Sequence, residues 1–317
     1  SPPSCRIVRR IVDSKRKAGS RIISPVVPIT RRVSDSADPK EQKNCASRSP
    51  GKRRVTARLA SISAKRASPA GRLAMAAWPG HGHALDVWDK HGGSPVSAAD
   101  LAVDRFLKRE LTTLLPSAGW LSEETVDAPD RLEGGLIWLV DPIDGTRDFI
   151  RGRTGWAVSV ALVSAGRPLF GMLDAPARGE FWHGEAGQGS WRNGARLSAS
   201  RRAELPGARV PAHALPRADA DLTLVDQPNS IALRIAMVAA DEADLVATLR
   251  WGNEWDIGAA ALIAREAGAA VTDAFGQPLA YNKRDPRAFG VLACAPAIHG
   301  AAVERLAGRA KELAQGD

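Results

Sequence analysis

Two acids, Asp141 and Asp144, stand three residues apart in LIWLVDPIDGTRDF, residues 136–149, directly behind the apolar run from Leu136 to Val140. That run has no helical spacing, which is how a strand buried on both faces reads. The strand is expected to stop at Asp141, where Pro142 and Gly145 force a turn and leave both carboxylates at its carboxyl end, a usual place for sites in open α/β sheets. Carboxylates held this close repel each other. A divalent cation removes the repulsion, and hard Mg²⁺ favours such oxygen ligands, with the carbonyl of Ile143 as a further oxygen between the acids. An isolated Asp-x-x-Asp also fits a plain surface turn, because Asp, Pro and Gly all favour turns. The whole hexapeptide DPIDGT behind a buried strand is more than that, and other acids along the chain share its placing.

Three further acids lie at the edges of regular elements. Asp100 follows Ser97 in SPVSAADLAVDRFLKRELTTLLP, a capping-box pattern opening a helix whose buried face is Val103, Phe106, Leu107, Leu111 and Leu114 and which Pro116 ends. It is either a capping acid or a group projecting into a site from the first turn. Glu123, with Glu124, ends the short apolar stretch WLS, where two adjacent acids otherwise make a solvated pair. Asp256 stands at the start of the helix in EWDIGAAALIAREAGAAVTD, as an N-cap or as a site residue at an end that favours anions.

The elements that must position these acids follow from pattern. Residues 57–78 predict a broken or late-starting helix, since Pro69 and Gly71 interrupt its spacing. WAVSVALV and PLFGMLDA read as strands, and GEFWHG with GSWRNGARL as hairpin pieces closed by Gly and Asn-Gly. Residues 201–221 read as an exposed irregular connection and Leu222 to Val225 as a short strand. Ser230 to Leu249 reads as mostly helical, with Ile231, Ile235, Val238, Leu245 and Leu249 apolar. Ile257, Ala260, Ala261, Ala264 and Ala267 give the helix after Asp256 a small, close-packing face that ends near Gly268, and Val271 starts another strand.

The 317 residues, 44% hydrophobic with nine Trp, suffice for a sizeable core. The formal charge of +9 is a local property: residues 1–70 carry 18 Lys plus Arg against four Asp plus Glu, and no Phe, Trp or Tyr. Residues 1–55 are therefore expected to be a disordered basic extension. It reads as an arm for nucleic acid or an anionic surface, as an Arg- and Ser-rich targeting peptide, or as a segment without function. IISPVVPI is too short and too broken by Pro25 and Pro28 for a secretory core, and no apolar stretch is long enough for a bilayer span. Cys5, Cys45 and Cys294 show no metal or redox spacing, which suits a reducing cytoplasm. His81, His83 and His91 lack a matching acid or Cys for zinc and read as loop histidines.

Taken together, SAAD ending at Asp100, SEE at residues 122–124, DPIDGT at 141–146 and WDIGAA from Trp255 resemble, in order and type, the motifs of the inositol monophosphatase family of Mg²⁺-dependent, lithium-sensitive phosphatases. The resemblance runs from about residue 57 to 310. It implies the five-layered αβαβα sandwich of that family, an α/β fold with an N-terminal half over residues 56–200 carrying most of the ligands and a C-terminal half over 201–317 completing the site, and a homodimer. It further implies that Glu123, Asp141, the Ile143 carbonyl, Asp144 and Asp256 hold two Mg²⁺ ions, with Asp100 helping to hold a third. Thr146 and Asp100 would orient and deprotonate the attacking water, Glu123 would share in catalysis, and the amides of Gly145 and Thr146 would cradle the phosphate. No covalent phosphoenzyme is then needed. Ser122, Ala269 and Thr154 depart from the usual Gly, Gly and Pro, all outside the ligand set.

For the substrate, a small phosphate ester, the pattern divides. The inositol-specific enzymes carry an acid several residues before the Trp-Asp pair, and here VATLRWGNEWD offers only Glu254 beside Trp255. SEE, DFIRG, LRIAMVA with Arg234, and GQPLAYN look closer to the bacterial 3'(2'),5'-bisphosphate nucleotidases, which take 3'-phosphoadenosine 5'-phosphate to AMP. Arg234 would meet the second phosphate, unless it is a solvated helix residue. An inositol or other sugar phosphatase is the alternative, and a non-catalytic basic protein that binds nucleic acid through residues 1–55 a remote one.

Overall fold

The apolar run that opens the acidic motif forms the second strand of a seven-stranded sheet, flanked on one side by a parallel neighbour and on the other by an antiparallel one. The computed structural model describes residues 69–81, 86–89 and 95–315, all within the unit Ser49–Asp317. The basic residues 1–55, the first part of the helix expected over 57–78, and His83 and His91 lie outside the described residues.

The first elements are α1 (Pro69–Ala77), β1 (Val87–Asp89), β2 (Pro95–Ser97) and α2 (Ala98–Leu114). The large sheet follows, as β3 (Gly119–Ser122), β4 (Leu136–Asp144), β5 (Ala157–Ser164), β6 (Arg167–Ala175), β7 (Glu180–Glu185), β8 (Gly189–Arg192) and β9 (Ala195–Arg196), paired in that order. One turn of helix, α3 (Thr146–Ile150), follows β4. The remainder is β10 (Arg209–Pro211), β11 (Thr223–Val225), α4 (Ile231–Ala239), β12 (Leu245–Asn253), α5 (Glu254–Glu266), β13 (Ala270–Thr272), β14 (Arg287–Cys294) and α6 (His299–Gln315). β12, β14 and β13 form a second, antiparallel sheet in that order.

The two-residue side-chain period of β4 builds the layers. Trp138 and Val140 enter a core shared with Ala70 and Ala74 of α1 and Val103, Leu107 and Leu111 of α2. Ile137 and Leu139 face the opposite way, into a core with α4, α5 and the inner residues Val246, Val291 and Ala293 of the small sheet. Beyond that sheet, Leu245, Leu292 and Cys294 pack against Ala302 and Leu306 of α6. Helices, sheet, helices, sheet and helix thus make the five layers of an αβαβα sandwich. The small face of α5 lets it lie against the large sheet: a Cβ on Gly171 would be 2.7 Å from the Ala259 carbonyl oxygen.

Two expectations are corrected. β4 does not stop at Asp141; it pairs with β5 as far as Asp144, with an irregularity between Asp141 and Asp144 where Pro142 needs no ladder donor. The helix expected over Ser230 to Leu249 ends at Ala239, because Asp241 takes a left-handed turn, and Leu245 and Leu249 belong to β12. Their four-residue spacing fits a helix face, but as an even number it also fits one face of a strand, and the strand prevails. The connection over 201–221 contains β10, which pairs in parallel with β11.

Candidate active site

Four elements deliver the five acids: α2, the end of β3, β4, which carries two, and α5. Asp100 is the third residue of α2 and closes a capping box: its Oδ2 accepts from the Ser97 amide at 2.8 Å and from the Ser97 hydroxyl at 2.6 Å. This leaves Oδ1 facing the Thr146 hydroxyl at 3.5 Å. Asp256 repeats the device at the start of α5, where Asn253 is the N-cap and donates its amide to Asp256 Oδ2 at 2.9 Å. Asp256 is therefore the third residue of a capping box and not the N-cap itself.

Glu123 follows β3 directly, and its amide extends the parallel ladder by donating to the Val140 carbonyl at 3.2 Å. The preceding Ser122 is buried and donates to Asp104 Oδ1 of α2 at 2.5 Å, while Thr125 donates to Asp104 Oδ2 at 2.8 Å. This clamp gives the departure at Ser122 a physical reason: it fixes the strand end that carries Glu123.

Asp141 accepts from the Ile143 amide at 3.1 Å, which turns the Ile143 carbonyl outward to receive the Thr146 hydroxyl at 3.0 Å. Gly145, at φ 94°, makes the turn that follows; a Cβ there would stand 2.7 Å from the Gly155 carbonyl oxygen. Asp144 lies against the start of α4, where Ser230 donates its hydroxyl at 2.5 Å, Ala232 its amide at 2.7 Å and Ile231 its amide at 3.3 Å.

Glu123, Asp141, Ile143, Asp144 and Asp256 line one open cavity of about 200 Å³ together with Gly145 and Thr146. Asp100 is buried behind it and reaches it through Thr146. Burial pushes Asp141 well above the ordinary carboxylate range, and the charges of Glu123, Asp144, Asp256 and Asp100 push the same way. Asp144 is raised to about 6, burial outweighing Ser230, the α4 amides and Arg234. Asp256 is raised to about 8 by burial, Asp144 and Glu123, against the Asn253 amide and Arg250. Such a set of oxygen donors, each disfavouring the charge of the others, fits a hard divalent cation and no soft one. Among the described residues no three His, Cys, Asp or Glu side chains form a ready-made coordination shell, so the acids line a common cavity without closing on one point.

Arg234 is neither on the cavity wall nor a solvated helix residue. Its guanidinium donates to the Asn229 carbonyl at 3.1 Å and the Ser230 carbonyl at 3.4 Å, at the start of α4. The cationic wall residues are Arg147 and Arg250. GQPLAYN is likewise structural: Asn282 donates its amide to the fully buried Glu254 and accepts from Arg131 at 2.7 Å. Sequence reading missed Ser230, whose signal was a Ser directly before an apolar helical run, and Arg250, just past the expected helix end, which carried none.

Several comparisons bear on this arrangement. Residues 56–314 match the description of the inositol monophosphatase family. The chain is 33% identical over 214 residues to the 3'(2'),5'-bisphosphate nucleotidase CysQ of Escherichia coli strain K12, covering 63% of this chain and 85% of that one. It is 32% identical over 216 residues to a fructose-1,6-bisphosphatase/inositol-1-monophosphatase of Thermotoga maritima, covering 65% and 81%. Among solved structures, a Thermotoga maritima IMPase superposes with a TM-score of 0.70 at 28% identity, covering 80% of this chain and 98% of that one. The extragenic suppressor protein suhB of Bartonella henselae gives 0.66 at 29%, covering 78% and 97%.

Fold and family together define a phosphatase. The chain belongs to the inositol monophosphatase family. Among the described residues no helix is long and apolar enough to cross a membrane.

Proposed function

We propose that the protein is a Mg²⁺-dependent phosphomonoesterase that removes the 3'-phosphate of a nucleoside 3',5'-bisphosphate such as 3'-phosphoadenosine 5'-phosphate, leaving AMP. The observation that carries the chemistry is that five oxygen donors, from the residue after β3, from β4 and from α5, line one cavity that also holds the Thr146 hydroxyl. Glu123, Asp141, the Ile143 carbonyl, Asp144 and Asp256 would hold two ions, and Asp100 would contribute to a third. Bound divalent ions supply positive charge that makes water acidic near neutral pH and offsets charge on the phosphate and the departing alkoxide.

The chain's own groups do the rest. Thr146 Oγ1 lies between two acceptors, the Ile143 carbonyl at 3.0 Å and Asp100 Oδ1 at 3.5 Å. A hydroxyl in that position accepts a proton from a water while passing its own to Asp100, so the pair orients the water and moves its proton. Glu123 stands at the same wall to receive or steer that water. The turn at Gly145 leaves the amides of Gly145 and Thr146 at the cavity, where they meet phosphate oxygens.

The nucleotide reading is supported by identity to a relative named as a bisphosphate nucleotidase and by the wall before Trp255, which presents Arg250. The acid there, Glu254, is fully buried and accepts from the Asn282 and Lys283 amides, so it meets no ring hydroxyl. The second reading, an inositol or sugar phosphatase, is favoured by the names of the Thermotoga relatives. Phosphate release in Mg²⁺, measured side by side on 3'-phosphoadenosine 5'-phosphate and inositol 1-phosphate with lithium as inhibitor, separates the two. Faster, lithium-sensitive turnover of the nucleotide supports the first reading, and preference for inositol phosphate establishes the second.

A further inference from the structure

We propose that Asn282, in the loop between β13 and β14, is a positioning residue: it ties the segment behind Glu123 to the first turn of α5, so that Glu123 and Asp256 are already held at one cavity when an ion binds. This rests on the metal-dependent reading above and deepens it. Asn282 does not line the cavity. Its effect runs through two residues, each close in the chain to an acid: Arg131 in the loop that follows Glu123, and Glu254, the residue before Trp255 and Asp256.

Both ends of this link are buried charges. The Arg131 guanidinium donates to the two oxygens of Asp127, at 2.5 and 2.8 Å, which closes the loop after Glu123 onto itself. The same guanidinium donates to Asn282 Oδ1 at 2.7 Å and to the Lys283 carbonyl at 2.9 Å, and the Asn282 carboxamide donates back to the Arg131 carbonyl at 3.4 Å. On the other side, Glu254 accepts the Asn282 amide on Oε2 and the Lys283 amide on Oε1, the latter at 3.1 Å. Glu254 is fully buried, opens α5, and donates its own amide to the Pro286 carbonyl at 2.9 Å. A buried charge is costly without such partners, so these contacts have little freedom to slip. Asp104 of α2 grips the near end of the same loop through Ser122 and Thr125. Glu123 is thus braced towards α2 by Asp104 and towards α5 by Asn282.

The backbone of Asn282 points the same way. Its φ of 60° is left-handed, a conformation unfavourable for residues other than glycine although Asn bears it better than most. Of the four such residues among the described ones, Ala165 and Asn193 turn hairpins and Asp241 follows the end of α4, whereas Asn282 closes no hairpin. There the conformation lets one residue give its amide to Glu254 and its side chain to Arg131. Glycine would adopt it more readily and could not make the second contact. Backbone of this kind persists where its surroundings hold it in place, and it gathers around functional sites.

The test titrates Mg²⁺ alone into the whole chain as wild type, Asn282→Gly, Asn282→Asp, Glu254→Gln and the Asn282→Gly/Glu254→Gln double variant, following melting temperature. Phosphate release from 3'-phosphoadenosine 5'-phosphate and from inositol 1-phosphate is measured over the same Mg²⁺ range. Asn282→Gly keeps the backbone turn and the amide to Glu254, so its melting temperature in EDTA should stay within about 4 °C of wild type. The Mg²⁺ concentration giving half the stabilisation should rise about 10-fold, the lower end of the loss when a partner outside a metal's ligand set is removed, with KM for substrate at saturating Mg²⁺ unchanged. Asn282→Asp tolerates the same backbone and keeps an oxygen for Arg131, so it should recover most of that loss. Glu254→Gln weakens the link on the α5 side and should raise the Mg²⁺ midpoint in the same way, and the double variant should be little worse than either single one, since both cut one connection. Midpoints equal to wild type, additive losses in the double variant, or an effect confined to melting temperature in EDTA overturn the proposal. If Mg²⁺ stabilises and activates the wild type and every variant alike, the phosphatase reading stands and the proposal falls; if Mg²⁺ neither stabilises the wild type nor activates it on either substrate, both fall.

Discussion

Ser230 tests whether the first turn of α4 holds the acid site together. Its hydroxyl does two jobs: it donates to Asp144 Oδ2 at 2.5 Å, and it accepts from the Leu233 amide at 2.9 Å as the N-cap of α4. Ser230→Ala removes both. Loss of the cap costs about 1 kcal/mol, and loss of a buried bond to an ionised acceptor about 1.5–3 kcal/mol, so unfolding free energy should fall by about 3 kcal/mol. Ser230→Gly separates the two, because glycine is only a few tenths of a kcal/mol worse as an N-cap; its loss, about 2 kcal/mol, reports the Asp144 bond. The assay is urea unfolding at pH 7.5 in EDTA, repeated in Mg²⁺. Both variants should also gain less stability from Mg²⁺ than the wild type, since Asp144 loses one of the three contacts that hold it. If both lie within about 0.5 kcal/mol of wild type, the range of an uninvolved surface change, or if Mg²⁺ stabilises them as strongly as the wild type, the reasoning is refuted.

Other expectations follow from single contacts. Thr146→Ala should lower kcat by about 10²- to 10⁴-fold with KM little changed, and Thr146→Ser should restore most of it, because only the hydroxyl between Ile143 and Asp100 is required; steady-state kinetics decides. Gly145→Ala should cost at least about 1–2 kcal/mol for the left-handed turn alone, with a further loss from the contact to Gly155, seen as a lowered melting temperature. At Asp244, burial would raise the carboxyl, but Arg209 and Ser200 outweigh it and hold it down to about 2. Its folded pKa thus lies below its unfolded one, so its contribution is present above about pH 4 and is lost as pH falls from there towards about 2. Asp244→Asn should flatten the fall in melting temperature over that window, and an unchanged slope would contradict the assignment. Leu107→Ala, in the core between α2 and the large sheet, should cost about 2–5 kcal/mol by urea unfolding.

How much of this was legible in the sequence depends on how local each signal was. The start of β4, the capping box of Asp100 and the hairpin at Asn193–Gly194 rest on residues adjacent in the chain and are where pattern places them, though β4 runs on past Asp141 to Asp144. The acids were readable by type and order, but what holds them was not: Asp144 is fixed by Ser230, 86 residues away, and nothing local announces such a pairing. The Leu245 to Leu249 spacing serves helix or strand alike, so pattern carries the helix into the first five residues of β12, and Arg250, just past them, gives no site signal. Arg234 draws the eye because an arginine in a helix near a phosphate site is plausible on type alone. Only the fold shows its guanidinium turned to the Asn229 and Ser230 carbonyls. GQPLAYN marks a clasp between Arg131, Asn282 and Glu254, joining residues 151 apart in the chain, which no spacing rule foresees.

The central claim is that the carboxylate-lined cavity is a metal-dependent catalytic centre. Asp256→Asn tests it most directly, since the asparagine oxygen can still accept from the Asn253 amide and keep the start of α5 capped while the ligand charge is lost. Phosphate release would be titrated with Mg²⁺ in wild type and variant, alongside their melting temperatures in EDTA. The account expects Mg²⁺-dependent turnover in the wild type and a loss of about a thousandfold or more in the variant, the several kcal/mol that metal ions supply to transition-state charge, with a fold at least as stable in EDTA. Turnover in the variant matching the wild type at every Mg²⁺ concentration, or wild-type turnover indifferent to EDTA, would contradict it.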